Sequence, residues 1–262
     1  MSAVRVHHSL DGSQRAPALV LSSSLGTTLE MWDAQVESFS ERHRVLRYDR
    51  RGHGRSPVPP GPYSIDDLGQ DLLDLLDRLE LSRVTFCGLS LGGCEGMWLA
   101  ANVPERVEAL VLCCTDPAFG PPEPWHERTA VVRTQGVAAI VDAALGRWFT
   151  PAFHAEHPDI VLRFREMLAG TPAEGYAGCC EAIATLDLRS ELATIIAPTL
   201  VITGMDDPVA TPESGERLAA AVPGARSLAI SGAAHLANVE QPDAFNRAVL
   251  EFVSSAMQEV AT

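Results

Sequence analysis

Apolar runs recur along the chain, separated by stretches with helical spacing. Ala18 to Leu21, Arg44 to Tyr48, Arg83 to Cys87, Val107 to Cys113, Thr199 to Thr203 and Arg226 to Ile230 read as strands. Several are nearly unbroken in aliphatic and β-branched residues, the pattern of strands covered on both faces. Between them, Ser64 and Asp67 stand at the spacing of a helix cap and its reciprocal acid, and Leu68, Leu72, Leu75, Leu76 and Leu79 follow on one helical face. Thr211-Pro212 opens a further helix that runs through Leu218. Pro242 to Met257 predicts a C-terminal helix with Phe245, Val249 and Phe252 aligned. Strands alternating with helices predict an α/β fold, a mostly parallel sheet with helices on both faces.

The rhythm breaks between about Pro117 and Glu191. Pro117, Pro121, Pro122 and Pro124 are followed by short helical pieces rich in Trp, Phe and Arg. Residues 118–190 therefore read as a helical cap inserted into a core made of 1–117 and 191–262. Internal repeats, linkers and low-complexity tracts are not evident.

Composition narrows the function. A chain of 262 residues, 46% hydrophobic and 21% charged, suits one folded α/β unit with an insertion rather than a disordered segment. A formal charge of −14 speaks against a broad basic surface for nucleic acid, and obliges any anionic substrate to find a local cationic pocket. No apolar run approaches the ~18 residues of a membrane span, and the N-terminal residues carry no signal-peptide pattern. Four of the six cysteines form the adjacent pairs Cys113-Cys114 and Cys179-Cys180, which rarely reach disulfide geometry, and no cysteine or histidine spacing suits zinc. Buried, reduced thiols in a cytoplasmic protein are expected.

The strand ending at Cys87 runs into Gly88-Leu89-Ser90-Leu91-Gly92-Gly93, and Cys94 to Ala101 continues as a helix. G-x-S-x-G alone is a weak signal; placed between a buried strand and a helix it has the setting of a nucleophile elbow, with Ser90 lifted above the sheet. A serine nucleophile needs a base and a group to orient it. Two later strands end in Gly204-Met205-Asp206-Asp207-Pro208 and in Ser231-Gly232-Ala233-Ala234-His235, at the edge where parallel sheets bind ligands. The chain order Ser90, Asp207, His235 is the order this elbow uses. His235 is the expected base. Asp206 and Asp207 both compete for the acid, with Asp207 favoured by its fourth place in G-x-x-D. His53, in the glycine turn Arg51-Gly52-His53-Gly54, reads as structural. The oxyanion donors are assigned to the backbone N–H of Leu91, directly after the nucleophile, and of Leu25, in the loop Ser22 to Thr27 after the first buried strand.

With these residues in place the chain resembles the α/β-hydrolase superfamily, and within it the 3-oxoadipate enol-lactonases. The resemblance spans nearly the whole length. It includes Leu21 to Thr28, Leu46 to Asp49, Arg51 to Ser56, Phe86 to Gly93, Arg147-Trp148-Phe149-Thr150, Gly175 to Cys180 and Ala234 to Glu240. It departs from the family pattern at Ser23-Ser24 and at Leu91, and neither change removes a backbone donor. The resemblance implies a small anionic enol-lactone as substrate, opened through an acyl-enzyme to 3-oxoadipate in aromatic-compound catabolism, with no metal or organic cofactor. A substrate carboxylate calls for an arginine: Arg133 and Arg147 are the candidates, with Trp125 and Trp148 as apolar walls. Other cofactor-free hydrolases on this scaffold (a carboxylesterase, another lactonase or a perhydrolase) share the triad, and a ligand-binding protein on the same scaffold stands as the alternative of another class. A serine at the elbow disfavours a haloalkane-type carboxylate nucleophile. The residues carry no signal for oligomeric state.

Overall fold

A computed structural model describes residues 2–260; residues 1, 261 and 262, the extreme ends of the expected core, lie outside them. The apolar runs assemble into a seven-stranded sheet: β1 (His8–Asp11), β2 (Ala18–Ser22), β3 (Arg44–Tyr48), β4 (Val84–Leu89), β5 (Val107–Cys113), β6 (Thr199–Gly204) and β7 (Arg226–Ile230). Their order is β1-β3-β2-β4-β5-β6-β7. Only β1 runs antiparallel to its neighbour; the other pairings are parallel. Every residue of β2, β4 and β6 is buried. Successive strand residues point to opposite faces, so this part of the sheet is covered on both.

The two edge strands differ from the buried interior, and β1 has no counterpart in the sequence expectation. β1, His-Ser-Leu-Asp, is short, partly exposed and without an apolar alternation, because an edge strand has only one neighbour to satisfy. β7, read as a strand from its sequence, closes the opposite edge, and only Ile230 of its five residues is buried.

The helices follow chain order. α1 (Asp33–Ser40), α2 (Ile65–Arg78) and α3 (Leu91–Asn102) precede β5. α2 begins with the expected reciprocal cap: Ser64 accepts from the Asp67 N–H, while the Asp67 carboxylate accepts from the Ser64 N–H at 3.0 Å. Between β5 and β6 the chain forms α4 (Glu123–Gln135), α5 (Val141–Trp148), α6 (Pro151–Glu156), α7 (Pro158–Ala169) and α8 (Ala173–Ala184). This excursion is pinned at its base, where the Leu188 N–H donates to the Pro117 carbonyl at 3.0 Å. α9 (Pro212–Ala221), capped by Thr211, then α10 (Ala237–Glu240) and α11 (Pro242–Val260) complete the chain. Phe245, Val249 and Phe252 of α11 are buried as a set. No helix among the described residues is long and apolar enough to cross a membrane.

Candidate active site

β2, β4, β6 and β7 all deliver their carboxyl ends to one edge of the sheet, and the chemistry gathers there. Ser90 follows β4 directly with φ 57° and ψ −118°, a conformation that side chains larger than glycine rarely adopt. Its surroundings hold it there. The Ser90 N–H donates to the Cys113 carbonyl at 2.8 Å, and its own carbonyl accepts from the Thr115 hydroxyl at 2.7 Å and the Gly93 N–H at 2.8 Å. The flanking glycines are sterically required: a Cβ on Gly88 would lie 2.1 Å from the Gly92 carbonyl oxygen, and one on Gly92 2.2 Å from that of Ser22.

His235 follows β7, and its Nδ1 lies 2.9 Å from Oδ2 of Asp207. The other Asp207 oxygen accepts from the N–H groups of Val209 (2.7 Å) and Ala210 (3.2 Å), so both carboxylate oxygens are engaged as acceptors. Nδ1 of His235 must then carry the proton, leaving Nε2 as the basic nitrogen. Asp206, adjacent in sequence, is exposed. Geometry thus separates two residues that the sequence left in competition.

Ser90 and His235 line a single cavity of about 240 Å³ together with Ser24, Leu25, Trp125, Arg128, Arg147, Trp148 and Tyr176. The Ser90 hydroxyl makes no hydrogen bond among the described residues. Neither the Leu25 nor the Leu91 N–H donates to a protein group among them. Leu91 opens α3, so its N–H belongs to the unpaired, electropositive helix start. The Leu25 loop is held from below. The Ser23 carbonyl accepts from Arg50, and the Gly26 N–H donates to Nε2 of His53 at 3.0 Å. Arg50 in turn stands 3.2 Å from the buried carboxylate of Glu95, which also accepts from the hydroxyls of Ser22 and Tyr48.

Of the expected substrate-facing residues, Trp125, Trp148 and Arg147 border the cavity. Arg133 does not. It lies exposed on α4, where Glu174 and Glu181 of α8 occupy its guanidinium at 2.6–3.1 Å. It stands five positions after Arg128 on α4, which turns its side chain well over a quarter-turn away from that of Arg128. Arg128 is the arginine that the sequence reading missed. It stacks over Trp125, with Cζ 4.6 Å from the ring centroid, and lies against the Tyr176 hydroxyl. Its signal was available: a position three residues after Trp125 shares a helix face with it. Arg128 and Arg147 form no ion pair among the described residues. Burial first, and then the neighbouring Arg128 charge, lower the pKa of Arg147. Two unneutralised cations share one side of the cavity.

All six cysteines are free and buried. Burial pushes the thiols of Cys94 and Cys179 up to about 12, which leaves them protonated and unreactive.

A strained serine at a strand–helix turn, an aspartate-held histidine and free amide donors on a mostly parallel sheet define an α/β hydrolase. The chain belongs to that family: the profile of the alpha/beta hydrolase fold matches residues 17–242. By class it is a carboxylic-ester hydrolase. It is 44% identical over 94% of its length to 3-oxoadipate enol-lactonase 2 of Acinetobacter baylyi, covering 92% of that protein. Among solved structures it is similar to the enol-lactonase from Burkholderia xenovorans LB400, at 45% identity and a TM-score of 0.94 over 97% of this chain and 99% of that one. A hydrolase from Pseudomonas aeruginosa aligns at 48% identity and a TM-score of 0.92 over 95% and 94% of the two chains.

Proposed function

We propose that the protein hydrolyses 3-oxoadipate enol-lactone to 3-oxoadipate through a Ser90-His235-Asp207 triad, in the cytoplasm, as a step of the β-ketoadipate route of aromatic catabolism. The observation that carries the substrate is the pair Arg128 and Arg147, unpaired among the described residues and facing the same cavity as Ser90. A neutral ester has no use for two cations without an ion-pair partner, whereas a carboxylate satisfies them with charge-assisted hydrogen bonds. Trp125 and Trp148 enclose the remainder of a small ligand, and residues 118–190 act as the cap that supplies this specificity. The relatives named as enol-lactonases support the same reading.

The chemistry follows from the positions. As substrate binds, His235 Nε2 accepts the Ser90 proton and the serine oxygen attacks the lactone carbonyl; such hydrogen bonds tighten only in the substrate complex. The Leu25 and Leu91 N–H groups receive the tetrahedral oxyanion. Collapse breaks the ring C–O bond, and the departing enol oxygen takes the proton from His235. Water, deprotonated by His235, then attacks the acyl-enzyme and releases the new carboxylate and Ser90. The enol tautomerises to the ketone.

The test is turnover of 3-oxoadipate enol-lactone against a neutral ester such as p-nitrophenyl acetate, in wild type and Ser90→Ala. A higher kcat/KM for the lactone, and a fall of about 10³-fold or more in the folded variant, are expected. Preference for the neutral ester would sink the substrate, and unchanged turnover would sink the nucleophile.

A further inference from the structure

Glu240 is buried at the end of α10, and the chemistry above gives it no task. Its carboxylate nevertheless gathers three donors, one from the nearby histidine loop and two from Thr150, 90 positions away. Oε2 accepts the Ala234 N–H, while Oε1 accepts the Thr150 N–H at 2.8 Å and the Thr150 hydroxyl at 2.9 Å. Ala234 is the residue immediately before His235. Thr150 closes the cap segment Arg147-Trp148-Phe149-Thr150, whose first two residues border the cavity. On the other side of the histidine, the Leu236 N–H donates to the Trp148 carbonyl at 3.0 Å. Both peptide N–H groups flanking His235 are therefore tied to one stretch of cap, Leu236 directly and Ala234 through Glu240.

We infer that Glu240 is a positioning residue: it straps the histidine loop to the cap segment that carries Arg147 and Trp148, so that the substrate-facing wall and the general base move as one body. Buried carboxylates with several charge-assisted bonds are strong, directional anchors, and the polar groups left behind when one is removed are costly to bury. The consequence is kinetic. Displacing a general base by about 1 Å can cost on the order of 10²-fold in rate. Loss of the strap should therefore appear in kcat more than in KM.

The inference rests on the Ser90–His235 reading, and the experiment separates the two. Glu240→Ala, Glu240→Gln, Thr150→Val and Thr150→Ser are compared with wild type on 3-oxoadipate enol-lactone and on p-nitrophenyl acetate, with Ser90 titrated independently by a fluorophosphonate. For Glu240→Ala, kcat is expected to fall about 10- to 100-fold on both substrates, with KM changed less than about threefold. The downfield His235 Nδ1–H proton resonance should weaken while circular dichroism stays native. Glu240→Gln, which keeps one acceptor oxygen, should recover part of kcat. A folded Glu240→Ala protein with kcat within about twofold of wild type overturns the inference. If that variant does not fold, Thr150→Val decides. It leaves the Glu240–Ala234 bond in place, so a several-fold loss of kcat that Thr150→Ser does not show supports the strap, and no loss overturns it. Should wild type cleave the ester but not the lactone, the substrate reading fails and the strap is judged on the ester. Should the fluorophosphonate leave Ser90 unmodified, the nucleophile reading fails, and the strap with it.

Discussion

His53 shows how much one buried side chain can hold in place. Its Nε2 accepts the Gly26 N–H, so its proton sits on Nδ1, facing the Arg51 carbonyl at 3.3 Å. Burial, and then the Arg50 charge, push its pKa down to about 3. The glycine turn around it suggested a structural histidine, but its partner, the residue after the proposed oxyanion donor Leu25, was not legible, because 27 positions separate the two. The titration has a definite sign. Below about pH 6.5 the unfolded chain takes up a proton here that the folded chain refuses until about pH 3. Stability contributed at this site is therefore present above 6.5 and is lost as pH falls through that window, by about 1.4 kcal/mol per pH unit for one proton. His53→Gln offers an acceptor without a titrating ring. Urea denaturation at steps between pH 6.5 and 4.5 should show the variant losing stability less steeply by roughly one proton's worth, and parallel slopes would contradict the assignment.

Among the elements, those with a local cause were the readable ones. α2 follows from its own cap and leucine spacing, and the elbow follows from a strand, two glycines and a helix contiguous in sequence. α3 begins at Leu91, earlier than the expected Cys94, because the turn at Ser90 is so tight that the helix starts at the next residue. β1 escaped notice since its place depends on pairing with β3 at Ser9↔Arg47 and Leu10↔Leu46, a long-range contact without a local signal. The seating of α8 against the loop after β3 is also a matter of elements. In α8, Gly175 approaches the loop after β3 so closely that a Cβ would lie 2.0 Å from the Gly52 carbonyl oxygen and 2.4 Å from its Cα. Backbone cannot yield as a flexible side chain would. Gly175→Ala is accordingly expected to lift α8, costing about 1–3 kcal/mol in denaturant unfolding and lowering kcat/KM for the lactone more than for p-nitrophenyl acetate. Wild-type values for both quantities would show that the contact relaxes freely.

On the scale of the whole molecule, charge sets the terms of recognition. A chain of net charge −14 disfavours anions at long range, so an anionic substrate would depend on a short-range cationic pair at the cavity. Arg128 and Arg147 border the cavity without an ion pair among the described residues, while Arg133 is paired with Glu174 and Glu181. Arg128→Met and Arg147→Met should each lower kcat/KM for the lactone by about 10- to 100-fold, the scale of a hydrogen bond to a charged group, while p-nitrophenyl acetate changes less than about threefold. Equal losses on both substrates would show that the arginines serve the cap's structure and not the carboxylate.

The amino-acid sequence by itself determined the alternation of strands and helices, the elbow at Ser90 and the strand-end positions of Asp207 and His235. Each of these is written in residues a few positions apart, where backbone sterics, capping and hydrophobic period act. Only the tertiary structure decided that Asp207 and not Asp206 meets the histidine, that Arg128 replaces Arg133 beside the cavity, and that Glu240 joins Thr150 to the histidine loop. Those outcomes turn on which way a side chain faces and on what a distant segment places opposite it. Neither is set until the helices have packed and the carboxyl ends of the strands stand side by side.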